Sequence, residues 1–264
     1  MFADERRAEI ARLVAEGQAV TVSQLMDRYQ VSIETIRRDL AHLEQRGLLR
    51  RVHGGAVSMQ HKMLQFEKLS ERNNRNREEK IEAAAAAVEV IHEGERIFLD
   101  SGSTAKEIAL RLCKRFKALT VITHSFEVMQ ILSRQEEFHL IQIGGEFLRN
   151  EQAFYGYQAE DMLKGLHAQK AILCPGALSL RQGLGDYIPE LVPIQRILTQ
   201  SAEEVIAVVD SSKLDQMGAY QICPLSPLIT IATDRKAPME FIQRCNTKGV
   251  HVHLPEIKEE NPHG

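Results

Sequence analysis

Apolar residues recur at three- and four-residue spacing along three early stretches of the chain, and each stretch predicts a helix. Glu5–Ala15 carries Ile10, Leu13 and Val14 on one face and runs out at Gly17. A second segment, with Leu25, Met26 and Tyr29, is capped by Thr21 or Ser23, and Gln30 turns the chain onward. In the third, Ser32 offers a capping hydroxyl, Ile33, Ile36, Leu40 and Leu43 define the buried face, and Gly47 stops the helix. Arg37 and Arg38 lie off that face, with Glu34 and Thr35 in the first turn. Leu48–Val52 and Ala56–Val57, around His53, Gly54 and Gly55, predict a small β-wing. A charged helix face is by default only a solvated face. Here a preceding helix and a wing complete a winged helix-turn-helix, whose third helix enters the major groove of double-stranded DNA. The DNA-facing candidates are Thr21, Ser23, Ser32, Glu34, Thr35, Arg37, Arg38, Arg50, Arg51 and His53.

The pattern changes after residue 57. Residues 58–76 are polar, rich in charge and Asn, and weakly periodic, which marks a linker. Ile81, Ala84, Ala85, Val88 and Ile91 then form a helical stripe ending at Gly94. Short apolar strands alternate with helices from there: strand Arg96–Asp100, helix Thr104–Cys113, strand Leu119–Thr123, helix Phe126–Leu132, strand His139–Ile143. Helix Ala159–Leu166, strand Lys170–Cys174, a helix over about Pro193–Ser201 and strand Val205–Val209 continue the series. Such alternation predicts βαβ units and a mainly parallel sheet covered on both faces.

In a sheet of that kind, ligands bind where the strands end. Five exits carry small polar residues: Asp100-Ser101-Gly102-Ser103-Thr104, Thr123-His124-Ser125, Gly144-Gly145, Pro175-Gly176-Ala177 and Asp210-Ser211-Ser212-Lys213. Gly102 permits close backbone approach, hydroxyls add donors, and a helix N-terminus with an ammonium nearby favours an anion. Taken singly, such residues are ordinary turns and caps. Their convergence on one sheet edge makes the candidate site. His124 fits either a sugar-hydroxyl or phosphate contact, or a cap or hydrogen bond to a neighbouring loop. Phe154, Tyr155 and Tyr157 fit a pocket wall, the core or an oligomer contact.

Composition bounds the rest. The 264 residues suit two domains, and the formal net charge of −3 provides no global field for DNA. The positive charge is local: Arg37, Arg38, Arg46, Arg50 and Arg51 fall within one short stretch. Cys113, Cys174, Cys223 and Cys245 are scattered without metal-ligand spacing, so reduced thiols and no metal site are expected. No secretory signal opens the chain and no apolar run is long enough to span a bilayer, which predicts a cytoplasmic protein with no membrane partner.

The TIRRDL, LEQRGLL and RVHGGA runs resemble the DeoR family of bacterial transcriptional regulators, and the likeness extends through IFLDSGSTAKEIA, VITHSFEVMQIL, QIGGEF and VVDSSKL. It implies a winged helix-turn-helix over 1–57, a linker over 58–76, an α/β effector domain over 77–255 resembling the ribose-phosphate isomerase class, and a loose tail over 256–264. It also implies nucleoid association, a phosphorylated sugar as effector, no further cofactor, and self-association as a dimer or tetramer. On that likeness the effector contacts are Asp100, Ser101, Gly102, Ser103, Thr104, His124, Ser125, Gly145, Gly176, Glu190 and Lys213. His124 stands where the family most often has Asn, and Glu190 where it carries an acidic residue. The expected function is a repressor of a carbohydrate uptake or breakdown operon, with no catalytic residues. The alternative is a sugar-phosphate isomerase with an accessory DNA-binding head, in which Asp100, Asp210, Glu190 and Lys213 supply acid–base groups.

Overall fold

The computed structural model describes residues 3–15, 20–52, 55–58 and 69–256. The chain divides between Phe66 and Glu67 into two units. In the first, α1 (Ala3–Ala15), α2 (Val22–Tyr29) and α3 (Ile33–Gln45) pack on an antiparallel sheet. That sheet contains β1 (Val20–Thr21), β2 (Leu49–Val52) and β3 (Gly55–Ser58) in the order β1–β3–β2. β1 has only two residues, too few to show alternation in the sequence. Ile10, Leu13, Val14, Leu25, Ile36, Leu40, Leu43 and Leu49 form the core.

Local chemistry sets the boundaries. Thr21 caps α2 through a capping box with Gln24, so Ser23 lies inside the helix and is not the cap. Gln30 adopts a left-handed conformation and Gly47 another, and these two residues end α2 and follow α3. Ser32 caps α3 by accepting from Thr35 N–H at 3.3 Å. The side chains of Ser23, Arg50 and Arg51, all of His53, the first part of the expected linker (59–68) and the tail from residue 257 lie outside the described residues.

One core position breaks the apolar rule. Asp39 faces inward from α3 and is 1% exposed. Its Oδ2 accepts from Arg6 Nε at 2.6 Å and its Oδ1 from Arg7 Nε at 2.8 Å, tying α3 to α1.

The second unit begins with residues that the sequence assigns to the linker. α4 (Leu69–Arg72) buries Leu69, and Lys80 Nζ donates to the carbonyls of Arg72 and Arg75. Residues 69–76 are therefore a folded part of this unit. Three helix–strand alternations follow, α5 (Arg77–Glu89) and β4 (Arg96–Leu99), α6 (Ser103–Arg115) and β5 (Thr120–Thr123), α7 (Phe126–Leu132) and β6 (His139–Gln142), then the hairpin β7 (Glu146–Leu148) and β8 (Ala153–Tyr155). α8 (Tyr157–Lys164) leads to β9 (Ala168–Leu173), and β10 (Ala177–Ser179) and β11 (Gly183–Asp186) lead to α9 (Val192–Gln200) and β12 (Ala202–Val208). The chain ends through a 3-10 turn (Ser211–Lys213), β13 (Tyr220–Cys223), β14 (Ile229–Ala232), α10 (Met239–Thr247) and β15 (His251–His253).

The main sheet has the order β15–β14–β12–β9–β4–β5–β6, and every pairing in it is parallel. Side chains alternate across it. Ile97 and Leu99 of β4 face α5, α6 and α7, whereas Phe98 faces the side carrying α8, α9 and α10. The buried stripe of α5 is Ala83, Ala84, Ala86, Ala87 and Val88, so the expected Ile81 and Ala85 sit at its edge, half-buried. A second antiparallel sheet, β10–β11–β13, and the β7–β8 hairpin complete the unit.

Replacing Asp39 with Ala should leave Arg6 buried without its anion and destabilise the DNA-binding unit by about 3–5 kcal/mol. Urea unfolding followed by circular dichroism measures this; a midpoint equal to that of the parent would remove the ion pair from any structural role.

Candidate functional site

The exposed side of α3 carries the first candidate surface. Arg37 and Arg38 are exposed, as is Glu34 in the first turn. The Ser32 and Thr35 hydroxyls lie 3.0 Å apart and hydrogen-bond each other at the helix entrance. Thr21 is exposed at the start of α2, its hydroxyl accepting from Gln24 N–H. The buried Ile36–Leu40–Leu43 face fixes the roll of the helix, so the two arginines project outward because they are off that stripe.

The second surface follows from strand order. β4, β5 and β6 run outward in one direction, and β9, β12, β14 and β15 in the other. The order reverses between β4 and β9, the place where parallel sheets open a crevice for ligands. Asp100 ends β4 at that point and is fully buried. It accepts from Ser101 N–H at 2.8 Å and His124 Nε2 at 3.0 Å on one oxygen. Its other oxygen accepts from Cys174 N–H at 3.0 Å and Gln195 Nε2 at 3.1 Å. Burial pushes the Asp100 carboxyl up, but the His124 contact and the N–H bonds outweigh it and hold it below its ordinary value.

His124 resolves in favour of the neighbouring-loop alternative. Its Nδ1 lies 3.1 Å from the Phe154 carbonyl and its Nε2 faces Asp100, so both nitrogens donate to protein acceptors. At 1% exposure the ring positions Asp100 and has no nitrogen left for a ligand. Ser125 is likewise spent, capping α7 through Val128 N–H. Gly145 serves chain packing: a Cβ there would stand 2.4 Å from the Tyr155 carbonyl oxygen. Gly176 packs on the Tyr187 ring and Asp186. Phe154 stacks against Phe147, with ring centroids 5.2 Å apart, and Tyr155 donates to Glu146, so neither lines the Asp100 cluster.

The entrance to α6 differs from that to α7. Its N-cap, Gly102, has φ of 100°, which any side chain would strain, and a Cβ there would meet nothing within 4 Å. No side chain caps the first turn, and the hydroxyls of Ser101, Ser103 and Thr104 make no hydrogen bonds among the described residues. Uncapped N–H groups at the start of a helix are the kind of donors that anions take. On the same rim, Lys213 makes no hydrogen bond or ion pair among the described residues. Burial, reinforced by Lys80, Arg72 and Arg75 against the opposing pull of Asp210, lowers its pKa to about 8. A cation held among cations is poised for an anion.

Several site residues escaped the sequence reading. Asp186, at the end of β11, is joined to Asp100 by Gln195, whose Nε2 donates to both carboxylates. Glu190, expected to face the ligand, is half-buried on the following turn and makes no hydrogen bond among the described residues. Asp186, not Glu190, is the carboxylate wired into the rim. The GLGD run following a turn was the only available signal. Asn76, at the head of α5, donates to Ser212 Oγ at 2.9 Å and Asp210 Oδ1 at 3.3 Å, and Arg72 pairs with the buried Glu151. A cavity of about 550 Å³ opens on the opposite rim, beside Arg96, Thr120 and Gln169, where strands begin and parallel sheets do not present ligands.

A winged helix-turn-helix followed by an α/β unit with a polar rim at its switch point is the arrangement of a ligand-responsive DNA-binding protein. A DeoR-like helix-turn-helix domain matches residues 6–62, and a DeoR C terminal sensor domain matches residues 75–235. The chain belongs to the DeoR family and is a DNA-binding transcriptional regulator rather than an enzyme. It is 33% identical over 251 residues to the putative aga operon transcriptional repressor of Escherichia coli O157:H7, covering 95% of this chain and 93% of that protein. It is 30% identical to the HTH-type transcriptional repressor GlcR of Bacillus subtilis, covering 98% of this chain and 99% of that one. Ribose 5-phosphate isomerase A of Methanocaldococcus jannaschii aligns with 53% of this chain and 55% of its own, at a TM-score of 0.39 and 21% identity. Among the described residues no helix is long and apolar enough to cross a membrane, and no cluster of His, Cys, Asp and Glu is arranged to hold a metal.

Replacing both Arg37 and Arg38 with Ala should abolish operator selectivity while leaving the melting temperature unchanged, since both side chains are exposed. A base-reading arginine contributes about 1–3 kcal/mol of discrimination. Gel-shift titrations on operator and scrambled duplexes would expose a wrong assignment as equal binding by parent and variant.

Proposed function

We propose that this regulator represses a carbohydrate uptake or breakdown operon and leaves its operator when a phosphorylated sugar occupies the C-terminal rim of the α/β unit. The observation that carries this reading is Lys213, a half-buried ammonium that feels Lys80, Arg72 and Arg75 and is unpaired among the described residues. The open α6 entrance at Ser101–Thr104 supplies backbone and hydroxyl donors to the same anion. The names of relatives, which include the lactose phosphotransferase system repressor of Streptococcus mutans, agree with a sugar-linked role. Self-association as a dimer or tetramer follows from reading repeated half-sites, and the protein works in the bacterial cytoplasm on the nucleoid.

Coupling to DNA runs through the segment that enters the α/β unit. Asn76 is bonded to Ser212 and Asp210, immediately before Lys213, and Arg72 is bonded to Glu151. A phosphate that takes Ser212 and Lys213 competes with Asn76 for the same hydroxyl. Occupancy then favours a different seating of this segment, and the difference in effector affinity between the two seatings sets the shift.

Effector affinity should be flat between about pH 6, where phosphate gains a proton, and about pH 8, where Lys213 loses its own. It should fall above that, because the charged form is the one that binds. Lys213→Arg should flatten the alkaline limb, since guanidinium does not titrate there. Calorimetry across pH with a panel of sugar phosphates tests this; binding independent of pH in the parent would put the phosphate elsewhere. Asn76→Ala should keep effector affinity within about threefold of the parent but reduce the effector's power to release operator, by a coupling of about 1–3 kcal/mol. Undiminished release in fluorescence-anisotropy titrations would exclude Asn76 from the switch.

A further inference from the structure

One carboxylate of the rim stands apart from its cations. Asp100 faces His124 and Glu151 faces Arg72, but Asp186 has no cationic partner among the described residues. Asp186 is 6% exposed, and its acceptors take only neutral donors. Tyr187 N–H lies at 2.6 Å and Ile188 N–H at 3.3 Å on Oδ1, with Gln195 Nε2 at 2.9 Å on Oδ2. Burial and the nearby Asp100 charge accordingly raise its pKa. A buried carboxylate balanced only by neutral donors is costly unless a cation joins it.

The side chain beside it supplies an independent observation. Gln195 is 2% exposed, and its Nε2 donates to Asp100 and Asp186 together. Its Oε1 is buried with no hydrogen-bond partner. Reversing the amide would not help, because Oε1 would then face two carboxylates. One uncompensated negative charge therefore lies next to one orphaned acceptor, and both call for a donor that carries positive charge.

We propose that Asp186 and the Gln195 carbonyl form a subsite for an ammonium group, so that the effector is an amino-sugar phosphate. This rests on the phosphate seat proposed above: phosphate at Lys213 and the α6 entrance, amine at Asp186. Lys213 follows β12, and Asp186 is joined through Gln195 to Asp100 at the end of β4, so the positive and negative lobes lie on the same C-terminal rim of the sheet. A neutral hydroxyl can donate to the same atoms but leaves the charge of Asp186 unbalanced. An acetylated amine loses the charge and adds bulk.

Calorimetry on the full chain at about pH 6.5, where phosphate is largely doubly charged, decides the matter. The probes are glucosamine 6-phosphate and galactosamine 6-phosphate, their non-amino and N-acetylated counterparts, and inorganic phosphate. At least one amino-sugar phosphate should bind about tenfold or more tightly than its non-amino counterpart. Asp186→Asn should reduce that preference to within about twofold while leaving inorganic phosphate affinity unchanged. The variant keeps an oxygen for the Tyr187 and Ile188 N–H groups and the volume of the side chain, and its unchanged inorganic phosphate affinity reports that the rim has folded. Equal affinity for amino and non-amino sugar phosphates, or a preference that survives Asp186→Asn, overturns the proposal and leaves the phosphate seat standing. If neither inorganic phosphate nor any sugar phosphate binds, the phosphate seat falls and this subsite falls with it.

Discussion

Asp100 is the residue on which the α/β unit turns. It ends β4 at the reversal of strand order, and its two oxygens collect a donor from its own loop, one from β5's exit, one from β9's exit and one from α9. Four donors from four parts of the chain hold the rim in one arrangement, because breaking any of them would leave a buried charge short of a partner. That is also why Asp100 makes a poor base. Its lone pairs are engaged and its carboxyl is held below its ordinary value, so the group that most resembled catalytic equipment is scaffolding. Rigidity here suits a sensor that reads a ligand without transforming it.

Around this fixed centre the unspent groups stand out. Ser101, Ser103, Thr104 and Lys213 make no side-chain hydrogen bonds among the described residues, whereas Ser125, His124 and Asp100 are fully committed. Candidates of similar residue type thus separate into those that tie the rim together and those left without a hydrogen-bond partner on it.

The DNA-binding unit solves a different problem with the same chemistry. Its small core of ten buried apolar residues is supplemented by a buried carboxylate shared between two arginines of α1. Such a pair carries a desolvation cost and adds little net stability, but it has one geometry. It fixes α3 against α1, and so fixes where the exposed Arg37 and Arg38 point.

The sequence by itself determined much of this protein. Period-3.6 stripes, caps at Thr21 and Ser32, and Gly47 located the three helices, while short apolar runs located five of the seven main-sheet strands, because those signals are local. The family followed from contiguous motifs, and the rim candidates followed from strand exits. Tertiary structure alone decided which of them share a site. Asp186 and Gln195 meet Asp100 although Gln195 is 95 positions away, Asn76 reaches Ser212 across 136, and Asp39 finds Arg6 across 33. β1, β10, β11 and β13 are too short to show alternation, and β1 and β13 find their partners, β3 and β11, only across long separations. His124 admitted either a ligand contact or a bond to a neighbouring loop, and both of its nitrogens are committed within the protein. Sequence pattern records what each residue prefers locally; which donor meets which acceptor depends on long-range packing, and that exists only once the sheet has closed.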